Sequence, residues 1–153
     1  MDDTPAFRRL RELGVKHTEV RHGPVGSVAE AAATRGIEVR DLVKTIVVRR
    51  GAGDYVFVLV PGDREFSWPK LRTLLGVSRL SMPDAAEAKQ ATGYERGTIT
   101  PFGASHPWPV LADSSILGRS ISMSGGTHGT GVATPVAVRN QSPTSPRLVT
   151  GQA

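Results

Sequence analysis

Two nearly continuous apolar runs, "LVKTIVVRR" (42–50) and "YVFVLVP" (55–61), are separated only by "GAGD". Runs this short and rich in β-branched residues read as strands, and a short glycine-bearing link between them reads as a hairpin. Neither run alternates apolar with polar residues, as a strand with one wet face would. Both are therefore expected at the centre of a sheet, covered on both faces.

The covering elements can be read around them. "TPAFRRLRELG" is a helix: Thr4 caps it, Pro5 suits the first turn, and Phe7, Leu10 and Leu13 share a face before Gly14. "SVAEAAATRG" is a second, with Ser27 and Glu30 spaced as a capping box and Gly36 as the stop. "SWPKLRTLLG" and "PDAAEAKQATG" are short helices flanking a small strand near "VSRL". "VKHTEVR", "PVLAD", "RSISMS" and a weak "VATPVAV" complete the strands. These strands lie too close together for a regular βαβ series, so a mixed, curled α/β sheet fits better than a doubly wound one. A chain of 153 residues supports one domain and one substantial core. That domain is expected over residues 1–138. Residues 139–153, "RNQSPTSPRLVTGQA", have no periodicity and hold two prolines, and are expected to be a mobile tail.

Composition removes several function classes. No apolar run approaches the ~20 residues of a membrane span, and the N-terminus has no apolar signal-peptide core. With no cysteine there is no disulfide, no thiolate metal site and no cysteine nucleophile, which fits the cytoplasm. The histidines His17, His22, His106 and His128 have no zinc-site spacing, so neither a metal nor a cofactor is expected. No serine sits in a GxSxG elbow. The net charge of +5 fits either a polyanionic partner such as RNA or simply a solvated basic surface. The surplus is concentrated at the two ends: ten Lys/Arg against seven Asp/Glu in residues 1–50, and three Arg against Asp113 alone in 101–153. Aromatic residues at 5% argue against a surface built on base stacking.

Lys44 is the most suggestive single residue. An ammonium at the start of a buried strand can bind phosphate or polarise a carbonyl oxygen; it can equally be a strand-end lysine reaching for water. "GTITP" (97–101) and "SGGTHG" (124–129) can each present backbone N–H groups to an anion or a developing oxyanion, or can simply be tight turns. His22 in "RHGP" and His128 in "GGTHG" lie in loops and are the stronger candidates among the histidines.

Taken in order, "SVAEAAATRGIEVRDLVKTIVVR", "VLVPGDREFSWPKLRTLLG", "TGYERGTITPFG", "PVLAD" and "SMSGGTHG" resemble the YbaK / prolyl-tRNA-synthetase-associated domain family. The resemblance runs from about His17 to about Val138. It implies a compact α/β domain with a barrel-like sheet that hydrolyses the ester of mischarged tRNA. Cys- or Ala-tRNA-Pro is the substrate it points to, with tRNA and an aminoacyl-tRNA synthetase as partners. By position, Lys44 matches the family's essential lysine, Gly97 and Pro101 its GxxxP-type loop, and Ser124, Gly125 and Gly126 its small-residue turn. Thr45, Gly93, Tyr94, Phe102 and Gly103 belong to the same motifs. With His22 and His128 they complete the expected substrate-binding set. Gly131 stands where several members carry an aspartate, so an acid-assisted step there is missing from this chain. That departure keeps two other readings open: a non-catalytic tRNA- or synthetase-binding module, and a small-molecule hydrolase or ligand-binding domain.

Overall fold

The computed structural model describes residues 3–21, 27–116, 118–135 and 147–149. Four helices form where the caps lie: α1 (Pro5–Leu13), α2 (Val28–Arg35), α3 (Trp68–Leu75) and α4 (Ala85–Thr92). Thr4, Ser27, Ser67 and Asp84 each accept a hydrogen bond from the backbone N–H three residues on, which satisfies an otherwise orphan donor. Gly14, Gly36, Gly76 and Gly93 close the four helices in the left-handed conformation.

The strands are β1 (Thr18–Arg21), β2 (Val43–Gly51), β3 (Asp54–Pro61), β4 (Val110–Asp113), β5 (Ser120–Ser124), β6 (Thr130–Pro135) and β7 (Arg147–Val149). They divide into two sheets, β2-β3-β4-β7 and β1-β6-β5. β2 and β3 form the expected antiparallel hairpin, with Lys44 opposite Val60 and Thr45 opposite Leu59. β4 joins β3 in parallel, and β7 joins β4 in parallel. β7 thus lies in the stretch expected to be a tail; apart from 147–149, residues 139–153 lie outside those described.

One expectation is corrected. The sheet does not curl into a barrel. Among the described residues the two sheets share a single parallel bridge, Leu42 to Ser122, and no pairing closes the ring. Two further details differ. β3 is central and buried on both faces, but β2 is an edge strand. Among the described residues its outer side is paired at the Leu42–Ser122 bridge and at an antiparallel bridge from Arg49 to Ser81, which is what stands in place of the strand expected near "VSRL". An apolar run marks burial of side chains; it does not say whether both backbone edges are paired.

Between the sheets, Phe7 and Leu10 of α1 pack with Val43, Leu59, Ala112, Ile121, Met123 and Val132. On the far face of the larger sheet, Val48, Val56, Val58, Val60 and Leu111 pack against Leu71 of α3. α2 places Ala31 and Ala32 on Leu42. This stacking holds the two sheets edge to edge along β2 and β5.

Candidate functional site

The bridge between Leu42 and Ser122 fixes what meets along that seam. Leu42 immediately precedes β2 and Ser122 lies in β5, so the bridge brings the start of β2, where Lys44 lies, beside the strand that ends at Ser124. Lys44 is partly exposed, and its ammonium donates a 2.7 Å hydrogen bond to the Arg64 carbonyl. Arg64 in turn brings a guanidinium nitrogen within 3.9 Å of the fully buried carboxylate of Asp113, which also accepts from the Ser115 N–H at 2.9 Å. Thr45 is the next residue on β2, and its neighbours Val43 and Val47 both enter buried clusters. The Thr45 hydroxyl is buried and has no hydrogen-bond partner among the described residues. Such an atom is costly unless something fills its valence.

The two glycine turns meet beside this strand end. Ser124 Oγ donates to the Thr98 carbonyl at 2.6 Å and accepts from the Gly126 N–H at 3.3 Å. Gly126 has a φ of 101°, and a Cβ there would stand 2.9 Å from Tyr94 Cε1. Gly97 has a φ of 89°; a Cβ there would stand 3.6 Å from His128 Cε1. His128 is otherwise well exposed, with Nε2 4.0 Å from a Glu95 carboxylate oxygen. Gly125 donates its N–H to Thr130 O at 3.3 Å, closing the turn.

Tyr94 is buried and donates its hydroxyl to Phe102 O at 2.6 Å, pinning the loop across its width. Burial pushes its phenol up to about 12, so it stays a neutral donor at ordinary pH. Gly93 is the C-cap of α4. Phe102 packs into two core clusters, and Gly103 admits the backbone of α1, since a Cβ there would stand 2.8 Å from Ala6 N. The structure therefore brings together Gly97, Pro101, Phe102 and Gly103 with Tyr94, Ser124, Gly125, Gly126 and His128, and sets Lys44 and Thr45 on the adjoining strand. Gly93, Tyr94 and Gly103 shape the loop from behind. His22 lies outside the described residues.

Sequence reasoning passed over Arg35. This last residue of α2 is partly buried and donates to Ser122 Oγ at 2.8 Å, Met123 O at 3.4 Å and Thr130 O at 3.3 Å. Burial lowers its pKa. The available signal was a lone long cation ending an alanine-rich helix. Among the described residues no cluster of His, Asp and Glu could hold a metal ion, and no helix is long and apolar enough to cross a membrane.

The structure is a two-sheet α/β domain with a lysine at the start of β2 and two interlocked glycine turns. The chain belongs to the aminoacyl-tRNA editing domain family, whose model matches residues 22–140. It is 35% identical over 102 residues to a proline–tRNA ligase of Thermosipho melanesiensis, covering 66% of this chain and 18% of the ligase. The chain thus spans about a fifth of that ligase's length. It is 29% identical to a candidate Cys-tRNA(Pro)/Cys-tRNA(Cys) deacylase of Enterococcus faecalis, covering 82% of this chain and 79% of the relative. A solved structure described as a candidate trans-editing enzyme for prolyl tRNA synthetase superposes with a TM-score of 0.76 at 26% identity, covering 88% of each chain.

Proposed function

We propose that this chain is an aminoacyl-tRNA deacylase that hydrolyses mischarged tRNA, with Cys-tRNA-Pro or Ala-tRNA-Pro as substrate. The observation that carries the reading is the pair of glycine turns tied together by the Ser124–Thr98 hydrogen bond, with Lys44 at the start of the strand whose foot bridges β5 at Leu42–Ser122. The relatives named above support the choice of tRNA and of a prolyl-tRNA synthetase as a second partner. Residues 1–138 form the catalytic domain, and the cytoplasm, where tRNA is charged, is its place of work.

The reaction needs few protein groups. A water attacks the ester carbonyl, the carbonyl oxygen becomes negative, and collapse expels the ribose oxygen of the terminal adenosine. That oxygen takes up the proton the water loses. Products are the free amino acid and uncharged tRNA. Lys44 offers a positive charge to the developing oxyanion, and the backbone of the two glycine turns holds the aminoacyl end in place. The buried Thr45 hydroxyl offers a donor for a polar atom of the bound end. No side-chain nucleophile takes part.

A second reading, binding without turnover, draws on the Lys44 ammonium being held by the Arg64 carbonyl and on glycine at position 131. Release of amino acid from a panel of mischarged tRNAs decides between them. Turnover on cysteinyl- or alanyl-tRNA-Pro supports the deacylase. Tight binding with no release on any member of the panel rejects it.

A further inference from the structure

Arg35 sits at the root of the Ser124–Gly129 turn rather than on the turn itself. Met123 and Thr130, two of its acceptors among the described residues, immediately flank that turn, one on β5 and one on β6. Ser122, another, is the residue bridged to Leu42 at the seam. One planar fork therefore spans both strands where the turn springs from them, and reaches the junction of the two sheets. Thr130 O also accepts the Gly125 N–H, so the carbonyl that holds the guanidinium holds the turn as well.

Gly131 makes room for this. It lies opposite Ser124 in the β5–β6 register, and a Cβ there would stand 2.8 Å from Arg35 Cζ. The guanidinium fills the volume a side chain at 131 would take. Ser122 and Thr130 are both buried, so withdrawing the guanidinium strips buried polar groups of a partner. A lysine cannot replace it, because a point charge does not bridge several acceptors as a planar fork does.

We propose that Arg35 is a positioning residue for the deacylase site. It sets the spacing of β5 and β6 beneath the Ser124–Gly129 turn and, through the Ser124–Thr98 hydrogen bond, the placement of the Gly97–Pro101 loop. Gly131 is the aperture that admits it. The inference rests on the deacylase reading for its link to turnover.

The test uses R35A, R35K, G131A and the double variant R35A/G131A in the full chain. Gly131 is not in the left-handed region, so alanine suits its backbone. What alanine displaces is the far end of a flexible arginine, which evicts the guanidinium without touching Arg35 itself. R35A and G131A are each expected to lower kcat on the preferred mischarged tRNA by roughly ten- to a hundredfold, as misplacement of a site does, with KM little changed. R35K should behave as R35A. The double variant should match R35A, because alanine at 131 then has nothing left to displace. Amide exchange at Gly125, Gly126 and Thr127 should quicken in every variant. Wild-type kcat in folded R35A or G131A, a rise in KM alone, rescue by R35K, or losses that multiply in the double variant would each overturn the proposal. If the wild type hydrolyses no mischarged tRNA, the deacylase reading falls. The exchange rates then judge Arg35 alone: unchanged protection of the turn rejects its role.

Discussion

The Ser124 hydroxyl donates to the Thr98 carbonyl across 26 residues of sequence, at 2.6 Å. This single bond joins the two glycine turns that sequence reading treats as separate features. Ser124 also accepts from the Gly126 N–H, so its hydroxyl is used as both donor and acceptor. Ser124→Ala should cost about 1 kcal/mol of stability, the usual worth of a part-buried neutral hydrogen bond. It should also slow deacylation, since the turns lose their shared anchor. Thermal unfolding and deacylation rates on the same preparation measure the two effects; a variant with wild-type values for both would show that the bond organises nothing.

Lys44 is partly exposed, and among the described residues its ammonium donates to a loop carbonyl, that of Arg64. Lys44→Ala should therefore leave the far-UV spectrum and unfolding temperature nearly unchanged. Deacylation should fall by ~10²–10³-fold, the typical effect of removing one electrostatic clamp on an oxyanion. Near-normal turnover would remove Lys44 from the chemistry.

Gly103 and Gly14 form a matched pair with φ values of 66° and 67°. Around Gly14 there is open space, whereas a Cβ at Gly103 would meet the backbone of Pro5 and Ala6. Gly14→Ala should cost about 1 kcal/mol, the left-handed penalty alone. Gly103→Ala should cost more than about 2 kcal/mol, because backbone on both sides has to move. Denaturant midpoints of the two variants give the comparison directly, and equal losses would contradict the close packing of α1 on the loop.

Glu19 accepts from Arg11 at 2.8 and 2.5 Å and meets His17 Nε2 at 3.0 Å. Hydrogen bonds from Arg11, aided by His17, hold its carboxyl at about 2, below the ordinary value of ~4.3. A depressed carboxyl pKa stabilises the fold above the unfolded value. That contribution is whole above about pH 5 and fades as pH falls from there toward 2. Because Arg11 is half exposed, its size should be a few tenths to about 1 kcal/mol. Glu19→Gln should lower stability by about that amount above pH 5 and flatten the acid limb of the stability–pH curve below it. An unchanged acid limb would locate the titration elsewhere.

Local chemistry made much of the fold legible. The caps at Thr4, Ser27 and Gly36 and the β2–β3 hairpin depend on residues within a few positions of one another. The edge position of β2 was not legible, because Lys44–Arg50 is apolar enough for either place and the decision rests with β4 and β5. Nor was the parallel pairing of β4 with β3, which depends on how far the chain travels between them. Within the site, the lysine and the glycine turns stand out by residue type. The contacts that assemble them, Tyr94 with Gly126 and Arg35 with Gly131, depend on the absence of a side chain at one partner. A glycine in a sequence does not say what has moved into the space it leaves.

The packing of α1 has a consequence for how such a domain can be inherited. Thr4 lies against Gly126, Pro5 and Ala6 lie on Gly103, and Phe7 and Leu10 reach the core between the sheets. Yet the matched family segment begins only at residue 22. The matched segment is thus narrower than the part of this chain that holds its loops in shape. A gene fusion that carried only the matched segment would leave Gly103 facing water and two large apolar sockets empty. Each new host would then have to supply its own plug for the same hole.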